Sequence, residues 1–250
     1  MEQIIVNEHV NGLAVVTLNR PEKMNAVSKE MTSQLASALQ SLKQKPGLKC
    51  LVLTGKGRAF CAGGDLSELH GGLSEMEAYQ ILKPMNEVLY QLAVFPVPTI
   101  ALLNGQARGG GCELATACDF RYGNEGAFYG FVQGKLGITP GWGGGELLYQ
   151  RIRPEYASHW LLVSEMYSGE TAHQIGWLHN IGDYKNAEEA AEPFLEKSVK
   201  QVRWFKNQYL EKLSINKGAM DKETANCAKL WESKEHIEAV RNFMDSRKKS

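Results

Sequence analysis

The chain has 250 residues, 43% of them hydrophobic and 22% charged, which suits a globular protein with one sizeable core or one core plus a small appendage, and excludes general disorder. Its 28 basic and 28 acidic side chains cancel, so nothing in the charge asks for nucleic acid, an anionic membrane or a polycationic partner, and a small-molecule partner is expected. The cysteines, Cys50, Cys61, Cys112, Cys118 and Cys227, are odd in number and lack CxxC spacing, which predicts reduced, mostly buried thiols and neither a disulfide framework nor a metal site.

The amino terminus, Met1 to Glu8, has no basic region followed by a long apolar run, and no stretch reaches the roughly 18 apolar residues of a membrane span, so a soluble, cytoplasmic protein without membrane association is predicted. Ile4-Ile5-Val6 and Leu13 to Leu18 are β-branched apolar runs joined across the turn residues Val10-Asn11-Gly12, which predicts an opening hairpin. Ser28 is a candidate cap for a helix to about Lys45, with Met31, Leu35, Leu39 and Leu42 at helical spacing; the β-rich Cys50 to Gly55 follows. A second helix from about Ser74 to Ala93 leads through Phe95-Pro96-Val97-Pro98 into the apolar strand Thr99 to Leu103. Strand, loop and helix alternate, which predicts a layered α/β domain whose strands end in glycine-rich turns. Beyond about residue 190 the composition shifts to Lys, Glu, Leu and aromatic residues at helical spacing, so residues 191–250 read as a helical tail that packs on its own core or on another subunit. Its end turns basic at Arg247-Lys248-Lys249, either as a solvated terminus or as a phosphate contact.

Two glycine clusters carry the chemistry. Ala59 to Leu66, with Gly63-Gly64, follows one strand, and Asn104 to Leu114, with Gly109-Gly110-Gly111, follows another; each leads toward a helix. Small residues let backbone N–H groups approach a ligand, and a helix N-terminus favours an anion, so two such loops side by side would make an oxyanion hole. Either run alone reads first as a tight turn.

In combination the motifs resemble the enoyl-CoA hydratase/isomerase family, the crotonase superfamily: Asn19-Arg20-Pro21-Glu22-Lys23-Met24-Asn25-Ala26, then Phe60 to Leu66, then Asn104-Gly105 through Glu113-Leu114 and Cys118-Asp119, and last Leu136-Gly137-Ile138-Thr139-Pro140-Gly141-Trp142-Gly143-Gly144. The resemblance implies a crotonase-like spiral of ββα turns over residues 1–190 and a C-terminal region, 191–250, that helps form a homotrimer or homohexamer. It implies as substrate an acyl-CoA or carrier-bound thioester, with coenzyme A arriving as part of the substrate and no separate cofactor. By position the oxyanion donors would be the N–H groups of Gly64 and Gly110. Lys23, Met24, Ala26, Ala62, Asp65, Leu66, Gln133, Pro140 and Trp142 would line the substrate and CoA site. The Asn19–Ala26 segment would contact CoA through its backbone, or else be only a turn around Pro21.

Hydratases of this family flank the substrate with two carboxylates. The first is Glu113, which would handle a proton or orient water, unless it only caps its helix or pairs with Arg108. The second would fall at position 133, where this chain has Gln133, an amide that neither gives nor takes a proton at neutral pH. That loss favours a decarboxylase, which needs the oxyanion hole and one proton donor. The Trp-containing loop Gly137 to Gly144 and Ala117-Cys118-Asp119-Phe120-Arg121 also resemble ethylmalonyl-CoA-type decarboxylases. A weak hydratase or isomerase using Glu113 is the alternative, and a non-catalytic acyl-CoA-binding protein is the reading from another class. Trp142 either walls the acyl pocket or packs in the core, and Glu146 either substitutes as an acid–base group or only suits a first helical turn. His70 either reaches substrate or sits on the surface. Arg108 either meets a substrate carboxylate or CoA phosphate, or is solvated.

Overall fold

The computed structural model describes residues 2–69, 73–184 and 186–248; His70, and the basic side chains expected at Arg247, Lys248 and Lys249, lie outside what is described. The first hairpin forms as its pattern predicts. β1 (Ile4–Glu8) and β2 (Leu13–Leu18) pair antiparallel with Ile4 opposite Leu18, and Gly12 turns the chain at φ 92°, a left-handed conformation that glycine adopts without strain. Ser28 caps α1 (Lys29–Lys43) by accepting from the Met31 N–H at 3.0 Å, and Met31, Leu35, Leu39 and Leu42 bury its inner face. The chain continues through β3 (Cys50–Gly55), β4 (Ala59–Cys61), the short α2 (Leu66–Leu69) and α3 (Glu75–Ala93), whose Ser74 and Glu77 form a reciprocal capping box. Then follow β5 (Thr99–Leu102), β6 (Gln106–Arg108), α4 (Gly110–Ala117), β7 (Phe120–Gly123), β8 (Phe128–Gly130) and the 3-10 turn Gln133–Leu136.

The strands make two sheets. One runs β1-β2-β3-β5-β7-β10, with β10 at Asn180–Ile181; the other, not foreseen from the sequence, runs β4-β6-β8-β9, with β9 at Tyr167–Ser168. After the opening hairpin every pairing in the larger sheet is parallel, so its central strands are apolar on both faces: β3 is buried along Cys50-Leu51-Val52-Leu53. In the smaller sheet β4 and β6 lie parallel, with Ala59 opposite Gln106 and Cys61 opposite Ala107. The two glycine clusters leave the same ends of these neighbouring strands, so sheet pairing sets the loops side by side.

The remaining helices are α5 (Gly144–Arg151), α6 (Pro154–Val163), α7 (Gly169–Gln174), α8 (Ala187–Leu195), α9 (Val199–Lys212), α10 (Lys217–Leu230) and α11 (Lys234–Lys248). The tail is helical as expected and folds back on its own chain: α8 lies against the larger sheet, α10 against α3 and α5, and α11 against the Gln133–Leu136 turn. Buried Lys206 of α9 bonds Asp119, which also lies 3.6 Å from Arg151. Trp231 is buried in this packing, whereas Trp204 and Phe205 on α9 stay 61% and 63% exposed. All five cysteines are free and buried, and among the described residues no helix is long and apolar enough to cross a membrane.

Candidate active site

The two glycine loops touch. Gly63 has φ 95° and Gly109 φ 51°, conformations that place the next N–H groups outside regular pairing. A Cβ added to Gly63 would lie 3.3 Å from the Gly110 nitrogen, and one on Gly111 would meet the Cys61 carbonyl oxygen at 2.2 Å. Only glycine permits this approach. Met24–Val27 clamps the first loop from behind: the Ala62 N–H donates to the Met24 carbonyl (3.0 Å), Val27 to Gly63 (2.8 Å) and Asp65 to Val27 (2.9 Å). Among the described residues, no acceptor takes the N–H of Gly64, nor that of Gly110 at the first position of α4.

Both glycines line a cavity of about 500 Å³, together with Ala62, Leu66, Arg108, Glu113, Gln133 and Trp142. Five of the expected binding positions sit elsewhere. Lys23 is exposed, the Ala26 carbonyl accepts from the Arg20 guanidinium at 2.6 Å, and Asp65 is salt-bridged to Arg20 at 2.9 Å. Met24, Ala26 and Asp65 thus lie behind the loop, and neither they nor Lys23 line the cavity. Pro140 lines a second cavity of about 700 Å³, which it shares with Gln133, Glu146 and Glu223; Glu146 does not line the first cavity.

Glu113 is 2% exposed. Four donors converge on its carboxylate: Gln133 Nε2 at 2.8 Å and the Gly141 N–H at 3.4 Å on Oε1, and the N–H groups of Trp142 (2.9 Å) and Gly144 (3.0 Å) on Oε2. It pairs with the loop before α5 and not with Arg108. Burial nonetheless holds Glu113 above the ordinary carboxylate range, because desolvation outweighs these N–H donors. Gln133 is 7% exposed and its Oε1 has no hydrogen-bond partner. The Trp142 ring lies directly over Gly110, where a Cβ would come within 2.2 Å of Cζ3, and it also borders a groove between α1 and α3 lined by Thr32, Ile81 and Met85. Trp142 is buried and also forms a wall of the cavity.

Two features escaped the sequence. Glu223 on α10 brings a second, half-buried carboxylate to the α5 N-terminus, accepting from the N–H groups of Gly145 (3.2 Å) and Glu146 (2.5 Å). Burial, then the nearby Glu113, pushes it well above its ordinary value. His236 on α11 lines the first cavity and contacts the Leu136 carbonyl at 2.7 Å through Nδ1. Neither stands in a recognisable motif; only an amphipathic tail pattern hinted that these helices fold inward.

Residues 8–250 match the enoyl-CoA hydratase/isomerase family. The chain is 35% identical over 178 residues to a crotonyl-CoA hydratase of Syntrophomonas wolfei, covering 71% of this chain and 68% of that protein. It is 30% identical over 258 residues to the mitochondrial methylglutaconyl-CoA hydratase of Mus musculus (97% and 80%), and 34% identical over 171 residues to an ethylmalonyl-CoA decarboxylase of Xenopus tropicalis (68% and 57%). Among solved structures, an enoyl-CoA hydratase/isomerase from Mycobacterium paratuberculosis superposes with a TM-score of 0.85 at 26% identity, covering 96% of this chain and 98% of the other. The α/β core with its helical C-terminal region is thus the crotonase-type fold implied by the motifs. Glycine loops, fold and near full-length likeness agree, and the chain belongs to the enoyl-CoA hydratase/isomerase family.

Proposed function

We propose that the protein decarboxylates a short 2-alkylmalonyl thioester, using the N–H groups of Gly64 and Gly110 as an oxyanion hole and Glu113 as the proton donor. The observation that carries this reading is the 2.8 Å bond from Gln133 Nε2 to Glu113 Oε1, which fills the second carboxylate position with an amide. Among the described residues Glu113 is then the single carboxylate lining the cavity. Decarboxylation needs no more: the bond between the α-carbon and the carboxylate breaks, carbon dioxide leaves, and the electron pair becomes an enolate whose oxygen the two N–H groups hold. Such a donor contributes about 3 kcal/mol. The Glu113 proton then joins the α-carbon, and solvent returns a proton to Glu113. No cofactor enters beyond the coenzyme A carried by the substrate.

The raised affinity of buried Glu113 for its proton suits a donor. Gln133 can follow both states of its neighbour. Its Nε2 donates to the carboxylate, and a half-turn of the amide would offer the now unpartnered Oε1 to the protonated acid. The likeness to the Xenopus decarboxylase agrees with this reading.

A second reading is slow hydration of an enoyl thioester, with water held between Glu113 and Gln133 Oε1; the likeness to two hydratases favours it. Incubation with enoyl-, malonyl-, methylmalonyl- and ethylmalonyl-type thioesters, on CoA and on carrier protein, separates the two by mass spectrometry. Loss of carbon dioxide from a 2-alkylmalonyl thioester is expected. Crotonyl-CoA hydration at hundreds per second, a rate typical of efficient enzymes, would contradict the reading.

A further inference from the structure

Among the described residues, Trp142 alone lines both the cavity of Gly64 and Gly110, about 500 Å³, and the groove between α1 and α3, about 660 Å³. The two spaces lie on either side of one indole. Val27, Ala36, Ile81 and Met85 give the groove an apolar lining, while the exposed Lys29, Glu77 and Gln80 form its rim. Helix α3 serves both spaces, since Leu82 lines the cavity and its neighbour Ile81 the groove. The indole has little room to swing aside. Its own N–H is tied to Glu113 Oε2 at 2.9 Å, and the backbone on each side is packed against helices. A Cβ on Gly141 would lie 2.8 Å from Cys227 Sγ and 3.2 Å from Leu82 Cδ2, and one on Gly143 would lie 2.6 Å from Met220 Cε. The six-membered ring stands over Gly110, with Cζ3 and Cη2 nearest.

We propose that Trp142 is the specificity-determining residue of the site: a fixed partition that stops the chain on the α-carbon and closes the cavity from the α1–α3 groove, restricting the enzyme to short acyl groups. The proposal rests on the reading that the thioester oxygen lies under Gly64 and Gly110 and that Glu113 serves the α-carbon. The ring covers one of those donors, and the same residue's N–H holds the Glu113 carboxylate. A substituent on the α-carbon therefore meets the indole first. A packed aromatic ring sets a hard limit on chain length, because a longer chain would have to overlap it or displace the glycine-bounded loop that carries it. Beyond the ring the apolar groove offers the space that the cavity lacks, so removing the indole should join the two and admit longer chains.

The test is calorimetry of the full chain with butyryl-, hexanoyl-, octanoyl- and decanoyl-CoA, for the wild type and Trp142→Ala. The wild type should bind butyryl-CoA more tightly than octanoyl-CoA by about tenfold or more, as a closed pocket rejects extra methylenes. In Trp142→Ala the order should reverse, with affinity rising up to about fourfold for each methylene that enters the groove. Ile81→Trp added to Trp142→Ala should refill the groove and return the preference to butyryl-CoA. A wild type indifferent to chain length, or a folded Trp142→Ala with the wild-type order, overturns the proposal; a double variant that still prefers octanoyl-CoA overturns the groove as the route. Should Trp142→Ala fail to fold, Trp142→Leu opens the partition with less loss of packing, and an unchanged order there overturns the proposal equally. Binding is read without turnover, so the chain-length profile decides this proposal even where ethylmalonyl-CoA is not decarboxylated. Failure of every chain to bind would reject the thioester site and this proposal with it.

Discussion

At Gly110 a single methyl group would collide with the Trp142 ring at 2.2 Å, so this position joins the candidate oxyanion donor to a wall of the cavity. Gly110→Ala should displace Trp142, shift tryptophan fluorescence, and lower kcat/KM by about a hundredfold, the effect of disturbing one oxyanion donor. Unchanged fluorescence and turnover would show that ring and N–H are independent. Glu113→Gln is a gentler change than its four hydrogen bonds suggest. A glutamine Oε1 can keep the Trp142 and Gly144 donors, and its Nε2 can face Gln133 once that amide turns to present Oε1, leaving only the long Gly141 contact unmet. Turnover should fall by about 100- to 10,000-fold, as for loss of a general acid, while calorimetry with an unreactive thioester shows binding within about threefold. Restoring the missing carboxylate by Gln133→Glu should raise crotonyl-CoA hydration above the wild-type rate, because water would then lie between two acid–base groups.

At the scale of elements, Glu113 and Glu223 both lie against the N-terminus of α5. Burial raises both carboxylates, so between the ordinary glutamate value of 4.5 and their folded values the native chain binds more protons than the unfolded one. That contribution is fully present below pH 4.5 and is lost as pH rises through the folded values. Glu223→Gln removes part of it, so urea unfolding should show the wild type losing stability relative to the variant as pH rises above about 4.5; parallel curves would contradict the assignment. Docking of α9 depends on the buried bond of Lys206 to Asp119. Lys206→Met should cost about 3–5 kcal/mol in urea unfolding, because it leaves Asp119 with only the distant Arg151 and the Thr99 N–H at 3.0 Å. The opening hairpin, α1 and α3 were legible because strand alternation, Ser28 and Ser74 are local signals. The smaller sheet was not, since β4, β6 and β8 have three residues each and their pairing depends on long-range contacts.

For the whole molecule, the four motifs made the family and fold legible, whereas the opposition of Glu113 and Glu223 arises only when α10 packs across α5. Of the binding positions expected from the resemblance, Ala62, Gly64, Leu66, Gly110, Gln133 and Trp142 line the cavity, while Met24, Ala26 and Asp65 lie behind the first glycine loop and Lys23 is exposed, a distinction that no linear motif carries. The exposed Trp204 and Phe205 are the side chains that a neighbouring copy would cover. Sedimentation should give a trimer or hexamer, weakened by Trp204→Glu, and a monomer at micromolar concentration would remove this expectation. The central claim is that an enolate forms under Gly64 and Gly110 and takes its proton from Glu113. The most direct measurement is turnover of ethylmalonyl-CoA in D₂O by the wild type and Glu113→Gln, read by mass spectrometry as butyryl-CoA and its α-deuterium content. The account predicts butyryl-CoA carrying one α-deuterium from the wild type, and at least a hundredfold slower formation in the variant; no decarboxylation by the wild type, or equal rates in the two proteins, would contradict it.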